Sequence, residues 1–209
     1  MDSVSCPSCL YYPALHMRLG LYGGSFDPVH RGHLLVARAA MEELSLDRLI
    51  FIPAAQSPFK PGIAPAPAAF RARLLRLALA GEPRYEVSTT EINRGGVSYS
   101  IDTVREFAAQ FPEADLHWLI GADHVATLPL WRESAALAER VRFVVIPRPG
   151  IHPPGLEAPF RLVPLRGWPL AVSSSEIRER AAAGLPVQHL VPDAVAEALR
   201  LETPYRTTN

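Results

Sequence analysis

Short apolar segments alternate with longer amphipathic segments along most of the chain. RLGLYGG (18–24) is continuously apolar and ends in glycine, which is typical of a strand buried on both faces. AAFRARLLRLALAG (68–81) repeats apolar residues at helical spacing and also ends in glycine. The predicted strands are 18–24, 48–55, 85–92, 115–123, 142–150 and 160–165. The predicted helices are 32–46, 68–81, 100–111, 133–140, 173–184 and about 193–201.

This alternation predicts an α/β fold in which a parallel sheet carries helices on both faces. No internal repeat is visible, and no linker divides the core, so we expect a single domain over residues 17–209. In an open parallel sheet, ligands bind beyond the carboxyl ends of the strands. The segments expected at that edge are 23–33, 53–60, 93–100, 121–132, 147–150 and the helix start at 173.

Composition narrows the classes of function. The chain has 209 residues, of which 48% are hydrophobic and 20% are charged, as in a globular protein. Its formal net charge is zero, which argues against nucleic acid as a partner, because phosphate backbones require a surplus of basic residues. No apolar run approaches the ~20 residues that a membrane span needs, and no secretion signal is evident. We therefore expect a cytoplasmic protein that does not engage membranes.

The first sixteen residues differ from the rest of the chain. Both cysteines, Cys6 and Cys9, lie there with C-x-x-C spacing. A zinc site would need a second pair of ligands, and a redox motif would open a helix beside a strand. Neither context is present, so we expect neither function. Residues 1–16 are interpreted as an N-terminal extension, either disordered or the result of a misplaced start codon.

The segment GGSFDPVHRGH (23–33) carries candidate chemistry where the first strand gives way to a helix. Glycines let a ligand approach the backbone closely, and the free N–H groups of a helix start bind anions. His30 and His33, three residues apart around Gly32, would lie on one side and donate hydrogen bonds to phosphate oxygens. Neither a dinucleotide fingerprint nor a P-loop is present. A two-histidine metal site and a purely structural pair remain alternatives.

This segment resembles the H-x-G-H nucleotidyltransferases, and VSSSEIRER (172–180) resembles their second motif. Class I tRNA synthetases share the histidine motif, but their lysine-rich second signature is missing. ExNRGGxSYSxDTV (91–104), LIGAD (119–123), LPLW (128–131) and RPG (148–150) narrow the resemblance to the bacterial nicotinate-nucleotide adenylyltransferases. This resemblance covers residues 17–202.

The resemblance implies a Rossmann-like fold and transfer of AMP from ATP to nicotinate mononucleotide, with ATP and the mononucleotide as partners. It also implies direct in-line displacement with Mg²⁺ held mainly by the ATP phosphates. The implied catalytic residues are His30, His33, Lys60 and Arg178. The implied ATP-binding residues are Gly24, Ser25, Phe26, Gly121, Asp123, Ser174 and Ser175. The implied mononucleotide-binding residues are Ser100, Thr103, Trp131, Arg132 and Arg148.

The resemblance also implies individual roles. His33 would matter most in the transition state, and Arg178 with the two serines would bind the departing pyrophosphate. Trp131 would stack on the nicotinate ring, backbone N–H groups near Ser100 and Arg132 would recognise the ring carboxylate, and Arg148 would bind the mononucleotide phosphate. Lys60 is the sole lysine among 21 basic residues.

The chain departs from the family pattern in the loop PAAQSPFK (53–60). Phe59 stands where the family usually has histidine, and alanines replace asparagine, so the loop offers fewer side-chain donors. Arg132 would attract a carboxylate, which favours nicotinate over nicotinamide. The alternatives left open are nicotinamide mononucleotide or phosphopantetheine as the acceptor, and a non-catalytic nucleotide-binding module. The oligomeric state is not predicted.

Overall fold

A computed structural model describes residues 16–59, 65–168, 170–202 and 204–205. The predicted extension with Cys6 and Cys9 lies outside the described residues, apart from His16, and Lys60 also lies outside them. The strands are β1 (Arg18–Gly24), β2 (Arg48–Pro53), β3 (Tyr85–Val87), β4 (Asp115–Gly121), β5 (Arg142–Ile146) and β6 (Leu162–Pro164). The helices are α1 (Arg31–Glu43), α2 (Ala68–Leu79), α3 (Thr90–Arg94), α4 (Ser100–Gln110), α5 (Ala122–Val125), α6 (Ser134–Arg140), α7 (Ser174–Ala182) and α8 (Asp193–Glu202), with a 3₁₀ turn at Leu128–Leu130.

Within the described residues, six strands form one sheet in the order β3-β2-β1-β4-β5-β6. Every neighbouring pair is parallel. This is the strand order of a doubly wound, Rossmann-like fold, so the predicted fold class is confirmed. The order reverses between β1 and β4, which places the crevice for a ligand beyond the carboxyl ends of those two strands.

The strands bury both faces, as their apolar sequences predict. In β1, Leu19 and Leu21 pack in one hydrophobic cluster with α4 and α6. Tyr22 packs in a second cluster with α1, α2, α7 and α8. In β2, Ile50 joins the first cluster and Phe51 the second. Helices therefore cover both faces of the sheet, and the strand ends remain as the open edge.

The predicted strand 85–92 is wrong beyond Val87. Strand β3 pairs on one side only, through three residues, and the chain then turns into the short helix α3. The backbone N–H of Thr90 donates to Ser88 Oγ at 3.3 Å, which helps to turn the chain. After Val87 the polar run Ser88–Glu91 interrupts the apolar alternation, and Ile92 is out of phase with Tyr85 and Val87.

Other strand ends also lie earlier than predicted. Strands β4 and β5 end at Gly121 and Ile146, and residues 122–125 form a helix that the sequence analysis did not predict. Ala122 and Val125, which lie beyond β4, are buried as part of this helix and not as part of a longer strand. In the part of the chain that the structure describes, no helix is both long enough and apolar enough to span a bilayer.

Candidate active site

The loop after β1 holds a strained turn. Phe26 has a φ of 46°, in the left-handed region that a bulky side chain seldom adopts. Its ring is buried and meets the rings of Tyr22, His33 and Phe51 with centroids 5.3, 5.0 and 5.7 Å away. This packing holds the strained backbone in place. Because the Phe26 side chain is buried, only the main chain of this residue is placed to meet a nucleotide.

The two histidines of the motif stack on each other. Their ring centroids are 3.7 Å apart, and the rings are inclined by 28°. The backbone N–H of His30 donates to His33 Nδ1 at 3.2 Å. Since Nδ1 of His33 accepts, the neutral imidazole carries its hydrogen on Nε2. The contact at the start of α1 thereby sets the tautomer of His33, with the hydrogen on Nε2.

His30 is held neutral. Burial, together with the charge of Arg148, lowers the pKa of His30 to about 4. Its Nδ1 is buried and has no hydrogen-bond partner in the described part of the chain. A Cβ on Gly32 would lie 3.0 Å from the His30 ring and 3.1 Å from Val172, so a side chain here would press on both and glycine lets the ring pack without a shift. His30 therefore offers a phosphate a neutral imidazole.

The second motif docks directly onto the first loop. The Ser173 hydroxyl caps α7 by accepting from the backbone N–H of Glu176 at 3.1 Å. Ser174 Oγ donates to the carbonyl of Pro28 at 2.9 Å. Arg178 Nη1 donates to the carbonyl of Asp27 at 2.8 Å, and Nη2 donates to Ser175 Oγ at 3.0 Å. The fold thus unites residues that are about 150 positions apart in sequence.

A mostly apolar cavity of about 290 Å³ lies at the same edge of the sheet. It is lined by Pro58, Phe59, Ser98, Tyr99, Ser100, Thr127, Leu130, Trp131 and Arg132. The structure thus brings together Ser100, Trp131 and Arg132 of the predicted mononucleotide site. The Phe59 ring contacts both Trp131, at 5.4 Å between centroids, and His124, at 4.8 Å.

The charge of Arg132 is held at the rim of this cavity. The side chain is exposed, and its guanidinium lies over the Tyr99 ring, 4.7 Å from the centroid. An ion pair with Asp102 at 3.6 Å fixes it from the other side. A stacked and paired arginine loses less freedom on meeting an anion than a free one would.

Thr103 is not brought to the cavity. It is fully buried, and its hydroxyl donates to Glu91 Oε1 at 2.6 Å. Burial raises the pKa of Glu91, although the Thr103 hydrogen bond opposes this. Ser98 Oγ accepts from the backbone N–H of Ala55 at 3.0 Å, which joins two loops of the cavity wall. Thr103 was predicted to contact the ligand, but the structure buries it away from the cavity, where its hydroxyl is bonded to Glu91.

Arg148 is grouped with the histidines instead of with Trp131. It lines a smaller depression together with His30 and His33. Its Nε lies 3.6 Å from Asp123 Oδ1. A Cβ on Gly121 would collide with the Asp123 carboxylate, so glycine is required for this ion pair. The structure thus brings Gly121, Asp123 and Arg148 together beyond the ends of β4 and β5, where Asp123 and Arg148 form an ion pair.

Comparisons with known proteins agree with this geometry. A family model described as cytidylyltransferase-like matches residues 21–180. A probable nicotinate-nucleotide adenylyltransferase from Opitutus terrae is 42% identical over 196 residues, covering 91% of this chain and 98% of the relative. A relative of the same name from Thermus thermophilus is 44% identical over 190 residues, covering 91% and 100%. The chain belongs to the nicotinate-nucleotide adenylyltransferase family.

Solved structures agree in fold. A putative nicotinate-nucleotide adenylyltransferase from Vibrio parahaemolyticus superposes with a TM-score of 0.68 at 18% identity, covering 92% of this chain and 97% of the other. The nicotinic acid mononucleotide adenylyltransferase of Plasmodium falciparum, complexed with NaAD, superposes with a TM-score of 0.73 at 14% identity, covering 91% and 98%. The fold of this family member is therefore shared well beyond the range of sequence similarity.

A buried arginine that sequence patterns did not single out holds the first loop of this family member in place. Arg71 of α2 is 1% exposed, and its guanidinium donates to three main-chain carbonyls. The acceptors are Ser25 at 2.7 Å, Ala54 at 2.8 Å and Ala66 at 2.9 Å. Arg71 stands on the apolar face of an otherwise leucine-rich helix, and that position was the available signal. It ties the segments after β1 and β2 into one rigid base.

Proposed function

We propose that this protein transfers AMP from ATP to nicotinate mononucleotide, forming nicotinate adenine dinucleotide and pyrophosphate. The observation that carries the proposal is the docking of Arg178 onto the histidine loop, through the carbonyl of Asp27 at 2.8 Å. That docking gathers two imidazoles, an arginine and a helix N-terminus around one place for a triphosphate. The family membership and the aromatic cavity beside it support this nucleotide and this acceptor.

In the proposed step, a phosphate oxygen of the mononucleotide attacks the α-phosphorus of ATP. A new P–O bond forms, the bond from the α-phosphorus to the bridging oxygen breaks, and pyrophosphate leaves with the electron pair. His33 donates its Nε2–H to the phosphate oxygens while charge builds up in the transition state. Arg178, with Ser174 and Ser175, neutralises the departing pyrophosphate. The protein forms no covalent bond; it positions groups and stabilises charge.

His30 contributes as a neutral hydrogen-bonding group. Because its pKa is lowered to about 4, His30 is a neutral imidazole at neutral pH and does not act as a general acid. Charge for the phosphates comes instead from Arg178 and Arg148, with Lys60 as a further proposed contributor. The main chain of Gly24, at the end of β1, and of Ser25 and Phe26 directly after it meets the nucleotide. Gly121 and Asp123 border the adenosine.

The cavity is proposed to hold the mononucleotide base. Trp131 presents a flat face to the nicotinate ring. Arg132 and the backbone N–H groups near Ser100 meet the ring carboxylate, and the positive charge favours nicotinate over the uncharged nicotinamide. Arg148, beside the histidines, meets the mononucleotide phosphate near the point of attack. The cavity and the phosphate site then hold the two ends of one acceptor.

Magnesium is proposed to enter with ATP. In the residues that the structure describes, no group of three or more His, Cys, Asp or Glu side chains could hold a metal ion. The Asp27 carboxylate already accepts from Tyr205 and Ala66. Mg²⁺ prefers oxygen ligands and is often bound largely by substrate phosphates, and the imidazole and guanidinium groups here suit those phosphates instead. The ion would supply charge neutralisation at the phosphates.

The proposal is tested by the release of pyrophosphate from ATP and Mg²⁺. Purified protein is assayed with nicotinate mononucleotide, nicotinamide mononucleotide and phosphopantetheine as acceptors. We expect a strong preference for nicotinate mononucleotide. Preference for another acceptor would overturn the assignment of the cavity, and no release from folded protein would favour a nucleotide-binding module.

A further inference from the structure

A hydrogen bond joins the C-terminal end of the chain to the first active-site loop. The Tyr205 hydroxyl donates to Asp27 Oδ1 at 2.8 Å across 178 positions of sequence. The Tyr205 ring is half-buried against the hydrophobic cluster formed by α1, α2, α7 and α8. Burial, and then the Asp27 charge, raise the pKa of Tyr205 far above its usual value. The hydroxyl therefore stays protonated and acts as a donor.

Asp27 is the point where this bond meets the catalytic machinery. The residue is 6% exposed, and Oδ1 also accepts from the backbone N–H of Ala66 at 3.3 Å. Its other oxygen, Oδ2, lies 3.9 Å from Arg178 Nη1, while the same Nη1 donates to the Asp27 carbonyl at 2.8 Å. Tyr205 and Arg178 thus act on one residue from two sides.

The balance of charge explains why the tyrosine matters. A buried carboxylate must have its lone pairs satisfied. The neighbouring Arg71 cannot turn toward Asp27 without leaving the three carbonyls to which it donates. Arg178 Nη1 already lies 3.9 Å from Asp27 Oδ2, so Arg178 has a donor that could turn toward the carboxylate. Without the Tyr205 hydroxyl, Asp27 would draw Arg178 onto its carboxylate and away from an anion.

We propose that Tyr205 is a positioning residue that keeps Arg178 available to pyrophosphate, and that Tyr205 therefore supports the active site from beyond α8. This inference rests on the role of Arg178 under the proposed function. It does not depend on which acceptor the cavity holds.

The first test compares Tyr205→Phe with Tyr85→Phe. Both tyrosines are partly buried against the same hydrophobic cluster, and each change removes one hydroxyl group, but Tyr85 lies on the edge strand β3. Binding of inorganic pyrophosphate is measured by calorimetry, and turnover by release of pyrophosphate. For Tyr205→Phe we expect about tenfold weaker pyrophosphate binding and about tenfold lower kcat, as for loss of a hydrogen bond to a charged group.

The KM for nicotinate mononucleotide should stay within about twofold in both variants, because neither hydroxyl lines the acceptor cavity. Tyr85→Phe should leave pyrophosphate binding unchanged. A lower melting temperature with unchanged pyrophosphate affinity would show a purely structural role for Tyr205 and overturn the inference. Pyrophosphate binding is read without catalysis, so a wrong acceptor assignment would not be mistaken for failure here.

A double-mutant cycle tests whether Tyr205 acts through Arg178. In an Arg178→Met background, Tyr205→Phe should change pyrophosphate affinity by less than about twofold, because the group on which it acts is gone. An undiminished, additive effect of Tyr205→Phe in that background would contradict the inference.

Discussion

The two halves of the candidate site are built in different ways. On the phosphate side, buried Arg71 and half-buried Arg178 hold the first loop through main-chain carbonyls, and the two histidine rings stack at the start of α1. On the acceptor side, Phe59 is 47% exposed and the contacts are mostly between rings. A rigid base suits groups that must meet developing charge at a fixed distance. An aromatic wall suits recognition of a flat ring, and it is the half where this chain departs from the family pattern.

The largest effect on stability is expected from replacing Arg71, which holds the loops of the phosphate side together. Arg71→Met would leave three buried or partly buried carbonyls without their donor and would leave Arg178 as the cation beside Asp27. We expect a loss of about 3–5 kcal/mol in the free energy of unfolding, as for leaving several such carbonyls without their charged donor. The matched control is Arg76→Met, which changes an exposed arginine of the same helix and should cost no more than about 0.5 kcal/mol. Denaturant unfolding measures both, and equal losses would show that the base is not specially fastened.

Acid should lower the free energy of unfolding, because protonation of His30 on the phosphate side favours the unfolded chain. Its folded pKa of about 4 lies below the ordinary value of 6.5, so the unfolded chain binds this proton more readily. Stability is therefore complete above about pH 6.5 and is lost as the pH falls toward 4, by about 3 kcal/mol for this group. Denaturant unfolding of the protein and of His30→Gln between pH 7 and pH 4 would check this. Equal acid sensitivity in the two proteins would contradict the burial of His30 as a neutral group.

On the acceptor side, Trp131→Ala should raise the KM for nicotinate mononucleotide by about tenfold, because a stacking face is lost. The KM for ATP should change little, since Trp131 lies in the cavity and not beside the histidines. Steady-state kinetics with each substrate varied in turn would measure both values. A change confined to ATP would move Trp131 out of the acceptor site.

A smaller effect on the same side is expected for Phe59. Phe59→Ala removes the ring that contacts Trp131 and His124, and we expect about a threefold rise in the KM for the mononucleotide. Leu77→Ala, which shortens an exposed apolar side chain on α2, is the control and should have no effect on kinetics. If the kinetics of Phe59→Ala were indistinguishable from those of that control, Phe59 would have no part in binding the mononucleotide, and Trp131 would be left as the aromatic contact.

The sequence could predict what is local. The passage from β1 to α1, with His30 and His33 on either side of Gly32, can be predicted because strand, turn and helix signals follow one another directly in the sequence. The course of residues 85–92 was predicted wrongly, because only Tyr85 and Val87 alternate as in a strand and the polar residues after them form the turn into α3. Thr103 was assigned to a ligand by motif, yet the fold buries it behind the cavity. The contact of Tyr205 with Asp27 depends on tertiary packing across 178 positions, which no local pattern reports.

The central claim is that the histidine loop and Arg178 perform the transfer, and His33→Ala tests it most directly. The rate of nicotinate adenine dinucleotide formation is measured for the variant and the unaltered protein at saturating ATP and Mg²⁺. We expect kcat to fall by about 10²-fold, as for loss of a donor to developing charge, with little change in the KM for the mononucleotide. Turnover near that of the unaltered protein, in a variant shown to be folded, would contradict it.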